Sequence, residues 1–319
     1  MKVLLTGAAG FIGSHIADAL AQDPQVSRLI LADNLSTGSL RNIKHLLYDF
    51  AKTRFVEADI RDFGVCLHLC EGVDRICHQA ALGSVPRSIE SPRNTHAHNA
   101  DGTLNLLEAA RLQKVERVVF ASSSSIYGDN PEIPKREDRI GAPLSPYAAS
   151  KRTNELYAQV YARCYGLKYI GLRYFNIFGP RQSPGGPYAA VIPLFIKAVS
   201  DNTPPRINGD GSISRDFTYV ANAVQANLLA LKTDNPEAIN QIYNIACGEA
   251  ITLNQLFDII RSTAGSQLQP EYGPERPGDI PHSLADIDKA RRLLGYQPTI
   301  KAQEGLRLTY AWSTAQATN

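Results

Sequence analysis

Tyr147 and Lys151 stand four residues apart, directly after Ser145-Pro146, a pair that suits a helix start. Residues at i and i+4 project from one helix face, so a lysine ammonium can sit beside the phenol. A free tyrosine has a pKa near ~10 and is a poor base at neutral pH. To act as one, its anion must be stabilised by about three pH units, or ~4 kcal/mol. A close lysine cation works in that direction, because opposite charges favour the ionised form of an acid. A second run, Ala121-Ser122-Ser123-Ser124-Ser125-Ile126-Tyr127-Gly128, closes a strand-like segment and offers four hydroxyls. In the crevice at the C-terminal ends of a parallel sheet, such hydroxyls face a ligand. Spacing alone leaves open which of the four takes part in chemistry.

A third constellation lies at the start of the chain. Thr6-Gly7-Ala8-Ala9-Gly10-Phe11-Ile12-Gly13 follows an apolar run and opens a helical pattern. Gly7 permits a tight turn, Gly10 lets the backbone approach a pyrophosphate, and Gly13 allows close helix–strand packing. The helix N-terminus then offers its unpaired N–H groups to the anion. Asp33 ends the next apolar run, twenty residues past Gly13. A carboxylate there accepts hydrogen bonds from the adenosine ribose and repels a 2′-phosphate, which favours NAD over NADP.

These groups need a scaffold, and the hydrophobic pattern supplies one. Strands are expected at 2–6, 28–33, 54–57, 75–79, 117–122 and 168–173, with amphipathic helices at 12–21, 102–112 and 146–165. Short buried strands alternating with helices imply an α/β fold, a doubly wound parallel sheet covered on both faces. From about Tyr174 the texture changes, with Gly and Pro clustered at 179–187 and 203–211. The expected organisation is therefore a dinucleotide-binding domain over 1–172 and a smaller C-terminal substrate domain over 173–319. The segment 216–247 carries a strand-like run at 241–246 that can return to the main sheet.

Composition excludes several classes. With 33 Lys+Arg against 31 Asp+Glu, the 319-residue chain has a net charge of +2, which gives no footing for nucleic acid. Five cysteines at irregular spacing form neither a disulfide framework nor a metal site, and no metal is expected. The apolar run after Met1 breaks at the glycines and meets His15 and Asp18, unlike a secretory signal. No stretch approaches the ~20 apolar residues of a membrane span. A cytoplasmic protein is expected.

The glycine pattern departs from the Gly-x-Gly-x2-Gly dehydrogenase fingerprint. With Tyr147, Lys151 and the serine run, it resembles the extended branch of the short-chain dehydrogenase/reductases. The segments 81–88 (ALGSVPRS), 171–176 (GLRYFN) and 279–286 (DIPHSLAD) are similar to the NAD-dependent nucleotide-sugar 4-epimerases, bacterial UDP-N-acetylglucosamine 4-epimerases above all. The resemblance implies a Rossmann domain carrying NAD, a catalytic set of Ser123, Tyr147 and Lys151, and a homodimer built on helices near 95–112 and 147–165. Cofactor contacts are implied at Gly7, Gly10, Phe11, Ile12, Gly13, Asp33, Asn34, Asp59, Ile60, Ala80, Ala81 and Asn99, as well as at Tyr147 and Lys151. Substrate contacts are implied at Gly83, Ser123, Ser125, Tyr147, Asn176, Gln182, Ala190, Ile207, Asn208, Arg215, Arg276, Asp279 and Ser283. Arg215 and Arg276 would grip the diphosphate, and Asp279 the uridine ribose.

The implied reaction is a transient oxidation of the sugar at C4, rotation of the 4-keto form about its diphosphate, and reduction on the other face. Related 4,6-dehydratases carry an acid pair where this chain has Ser124 and Ser125, so dehydration is not expected. Ser283 stands where epimerases restricted to plain hexoses carry a bulky Tyr. Serine there leaves room for an N-acetyl group, which implies a preference for UDP-GlcNAc/UDP-GalNAc over UDP-Glc/UDP-Gal. A UDP-uronate converter, 4-epimerase or decarboxylase, is the alternative, with Arg181 and Gln182 near the sugar C6. A non-catalytic NAD-binding module is disfavoured because both Tyr147 and Lys151 are present.

Overall fold

Near-continuous apolar runs such as Val3-Leu4-Leu5 and Val118-Val119-Phe120 are wholly buried, as strands sandwiched between two helical layers must be. The computed structural model describes residues 1–185, 189–275 and 282–317. Six strands appear in turn: β1 (Lys2–Thr6), β2 (Arg28–Asp33), β3 (Thr53–Glu57), β4 (Arg75–His78), β5 (Arg117–Ser123) and β6 (Lys168–Tyr174). A seventh, Gln241–Ile245, pairs with β6, giving the order Gln241–Ile245, β6, β5, β4, β1, β2, β3. Every neighbour is parallel. The strand order reverses between β1 and β4, which is where an open α/β sheet places its ligand crevice.

β5 and β6 each run one residue beyond the apolar pattern, because Ser123 and Tyr174 are lateral partners at their ends. β6 therefore crosses the boundary expected at 172/173. The chain then leaves the sheet and comes back with Gln241–Ile245. It also returns the helix Val220–Lys232, whose buried Ala223, Ala226 and Ala230 face the first core. Their small side chains let this helix approach the helix Phe11–Gln22 closely.

Three helices carry the site. Phe11–Gln22 begins at Gly10. Pro146–Tyr165 has Pro at its first turn, and Ser145 Oγ caps it by accepting from Ala148 N at 3.1 Å. It stops at Gly166, whose φ of +71° suits the left-handed C-terminal position. The third differs from expectation. Pro92–His96, a wide π turn at Ala97–Asp101 and Gly102–Leu112 run on as one rod. The expanded turn points Asn99 inward, where it is completely buried.

The remaining chain packs around a second core that includes Phe178, Phe195, Leu256, Phe257, Ile260 and Leu306. Its strands are short. Ser214–Arg215 pairs antiparallel with Ile251–Thr252 and parallel with His282–Ser283, while Arg206–Asn208 pairs parallel with Glu271–Gly273. Among the described residues, no helix is long and apolar enough to cross a membrane.

Candidate active site

The C-terminal ends of β1, β2, β4, β5 and β6 open into a cavity of about 600 Å³ at the reversal of strand order. Gly7, Gly10, Phe11, Ile12 and Gly13 line one end. Gly7 has φ +68°, and a Cβ on it would lie 2.5 Å from Ala80 N. A Cβ on Gly13 would lie 2.0 Å from Gly7 O, so both glycines are required by close approach of backbone. Asp33 sits at the next strand end, with Oδ2 accepting from Ala9 N at 2.9 Å and Oδ1 from Leu35 N at 2.8 Å. Burial nevertheless raises its pKa.

The other end of the cavity holds the side chains expected to be catalytic. Ser123, Ser125, Tyr147 and Lys151 all line it. Ser123 Oγ accepts from Ser125 N at 3.2 Å and from Ser125 Oγ at 2.9 Å, and it also bonds the half-buried Tyr147 phenol. Burial raises the Tyr147 pKa, and the Ser123 bond works against that rise. Lys151 Nζ donates to Ala121 O at 2.9 Å, and burial pushes its amine down to about 8. Burial is thus the dominant influence on the phenol and the Ser123 bond the one that opposes it, so a base at this position would need further positive charge in the cavity.

Supporting groups fix the walls. His78 is buried between Thr6 Oγ1 at 2.7 Å and Thr103 Oγ1 at 2.9 Å, and burial pushes it down to about 3, so it is a neutral strut between β4 and β1. Asn99 does not line the cavity. Its Oδ1 accepts from Leu82 N at 2.8 Å, and its Nδ2 donates to Leu82 O and Ser150 Oγ, both at 3.1 Å. It therefore pins the segment that presents Ala80, Ala81 and Gly83. Ile60 lines the cavity, but the Asp59 side chain is held in a forked ion pair by Arg61, which keeps its carboxyl well below the usual range. Asn34 lines the cavity too, and its Nδ2 donates to Asp59 Oδ2 at 3.0 Å.

On the substrate side the expected residues divide. Gly83, Asn176 and Gln182 line the cavity. Arg215 and Ser283 are lateral partners on neighbouring strands, and neither is among the described lining residues. Ile207 is buried in the second core, Asn208 follows it on the same strand, and Ala190 is exposed at the start of the helix Val191–Ser200. Arg276 and Asp279 lie outside the described residues. Sequence reasoning missed Gln79, Ser84, His98 and Tyr174 as lining residues. Gln79 directly follows β4 and Tyr174 ends β6, and a 3.0 Å bond from Tyr174 Oη to Gln79 Oε1 joins them, so position at a strand end was the available signal.

Residues 3–246 match the family described as the NAD dependent epimerase/dehydratase family. The chain belongs to that family. It is 37% identical to a UDP-glucose 4-epimerase of Mycolicibacterium smegmatis, over 97% of each chain. A UDP-N-acetylglucosamine 4-epimerase of Methanobrevibacter ruminantium, solved with UDP-N-acetylmuramic acid, superposes with a TM-score of 0.93 at 41% identity, covering 99% of this chain and 98% of that one. A UDP-glucuronic acid 4-epimerase of Bacillus cereus, solved with UDP-glucuronic acid and NAD, gives 0.92 at 30% identity over 99% and 100%. The cofactor of this family member is NAD. The residues present fit it: a bare glycine cradle at a helix N-terminus and an acid at the second strand end.

Proposed function

We propose that the protein interconverts the C4 epimers of UDP-hexoses through a transient 4-keto sugar, preferring UDP-GlcNAc/UDP-GalNAc over UDP-Glc/UDP-Gal. The observation that carries this reading is the meeting of Ser123, Tyr147 and Lys151 in the cavity that the phosphate-loop glycines and Asp33 also line. Tyr147 removes the proton from the sugar 4-hydroxyl and later returns it. Ser123 hydrogen-bonds the same oxygen and steadies the phenol. Lys151 keeps a positive charge below Tyr147. NAD, when bound, would supply a reversible hydride acceptor and further positive charge. Gly7, Gly10 and Gly13 would hold its pyrophosphate, while Asp33 would take the ribose hydroxyls.

Arg215 contributes to the diphosphate grip as a forked donor, with Arg276 and Asp279 assigned alongside it from sequence. Ser283 supports the acetylated preference, because a small residue beside Arg215 leaves the sugar 2-position unobstructed. Arg181, the candidate partner for a uronate carboxylate, is ion-paired at 2.8 Å with Asp18 on the phosphate-loop helix, which argues against the uronate alternative. Ser124 and Ser125 at the serine run argue against elimination of water. The exposed Leu112, Leu156, Tyr157, Val160 and Tyr165 on the two packed helices support a homodimer.

The decisive experiment is 1H NMR of UDP-GlcNAc incubated with the purified protein and no added NAD. The galacto isomer should appear, recognised by its C4–H couplings, which also reports tight retention of the cofactor. Loss of a carbon would indicate decarboxylation, and no change in either acetylated or plain UDP-hexose would refute the proposal.

A further inference from the structure

Against the cavity wall, of which Ser122 is itself a part, lies a buried ionic knot to which the reaction assigns no part. Glu155 is fully buried on the helix Pro146–Tyr165, one turn beyond Lys151 and two beyond Tyr147 on the same face. Its Oε1 accepts from Ser122 Oγ at 2.7 Å and from Arg173 Nε at 2.9 Å. Its Oε2 accepts from Arg173 Nη2 at 2.9 Å and from Arg152 Nη1 at 3.1 Å. Arg173 is 2% exposed, and its Nη1 donates to Glu137 O at 3.1 Å. Burial alone would lower the Arg173 pKa, but the bonds to Glu155 outweigh it and hold the guanidinium charged.

The level of this knot is informative. Ser122 and Arg173 are lateral partners on β5 and β6. One residue further along come Ser123 and Tyr174, also lateral partners, and both line the cavity. One carboxylate thus ties the helix carrying Tyr147 and Lys151 to both strands, one peptide below the reactive hydroxyl. A buried ion pair is by itself poor support for stability, since apolar replacements are often as good. A forked pair is, however, strongly directional, and here it fixes a helix and two strand ends in mutual register.

We infer that Glu155, acting through Ser122 and Arg173, is a positioning residue that keeps Ser123 in hydrogen-bonding register with the Tyr147 phenol. The inference rests on the catalytic reading above. The Ser123 bond opposes the rise in phenol pKa that burial causes. Loosening the end of β5 weakens that bond, so Tyr147 ionises at higher pH.

The test uses Glu155→Gln, which removes the charge, and Ser122→Ala, which removes one hydrogen bond and leaves Arg173 paired. For Glu155→Gln we expect kcat to fall by up to ~10²-fold, the loss a misplacement of about 1 Å can cause, with the sugar KM within about threefold. Ser122→Ala should fall less. In both, the acidic limb of the kcat–pH profile moves to higher pH. The ultraviolet phenol titration of the cofactor-free protein, taken as the difference from its Tyr147→Phe counterpart, moves the same way and needs no turnover. Folding is checked by circular dichroism, and if Glu155→Gln does not fold, Ser122→Ala decides. Variants that lose only thermal stability, with pH profile and phenol titration unmoved, overturn the inference. An inactive wild type would instead overturn the catalytic reading, and the phenol titration would still judge the positioning role.

Discussion

Ser123 and Tyr174 meet at the ends of seven-residue strands, whereas Arg215 and Ser283 meet on strands of only two residues. The first pair belongs to a parallel sheet braced by a capped helix and a buried ion pair. The second is organised by one acid, Asp216, fully buried beside Arg215. Its carboxyl accepts from Cys247 N at 2.9 Å, Gly248 N at 3.0 Å and Ala285 N at 3.3 Å, and burial pushes it up to about 6. Proton transfer needs reacting atoms held within fractions of an ångström. A sugar that must present both faces needs a wall that yields. On the proposed reading the two demands fall on different parts of the molecule, chemistry on the long strands and sugar selection on the short ones.

The comparison breaks most readily at Tyr147. Tyr147→Phe removes one hydroxyl from the rigid region, and kcat should fall by ~10²–10⁴-fold with cofactor content and thermal midpoint retained. Turnover followed by NMR, with thermal denaturation alongside, checks it. Unchanged turnover would remove the phenol from the reaction.

Ser283→Tyr probes the yielding region. UDP-GlcNAc turnover should fall by ~10–100-fold while UDP-Glc turnover stays within about threefold, because a large side chain beside the sugar 2-position excludes the acetamide. Parallel assays on the two substrates read the ratio. Equal losses on both would mean that Ser283 does not discriminate.

The smallest effect concerns Lys151, whose amine burial pushes down to about 8, below the 10.5 of an unperturbed lysine. Between those values the unfolded chain binds a proton that the folded chain lacks, so this site makes the protein more stable as pH rises through that window. Over the same range the folded protein loses its ammonium, and kcat should decline above pH about 8. Across that window, the denaturant midpoint of the ligand-free protein should rise with pH relative to that of Lys151→Met.

Much of the rigid region was legible in the sequence, because strands buried on both faces must be apolar runs and Gly7, Gly13 and Asp33 obey local rules. Tyr147 and Lys151 were legible for the same reason, since helical spacing fixes their common face. Glu155 and Arg173 were not, because charged residues are rarely fully buried and nothing local marks an exception. The inward turn of Asn99 depends on an expanded helical turn with no sequence signature that spacing could reveal. On the substrate side, Ser283 and Arg215 lie 68 residues apart by number yet become neighbours, a pairing set by tertiary packing alone.

One of the two edge strands of the sheet, Gln241–Ile245, has a consequence for how the protein is made. During translation the flank of β6 emerges long before its partner does. Arg117 likewise waits for the carbonyls of Ala230 and Leu231 at the end of the helix Val220–Lys232. Until the ribosome has passed Ile245, the nascent chain carries an open strand flank able to recruit another polypeptide. A gene truncated after Tyr174 would therefore encode an aggregating fragment and not a working half-enzyme.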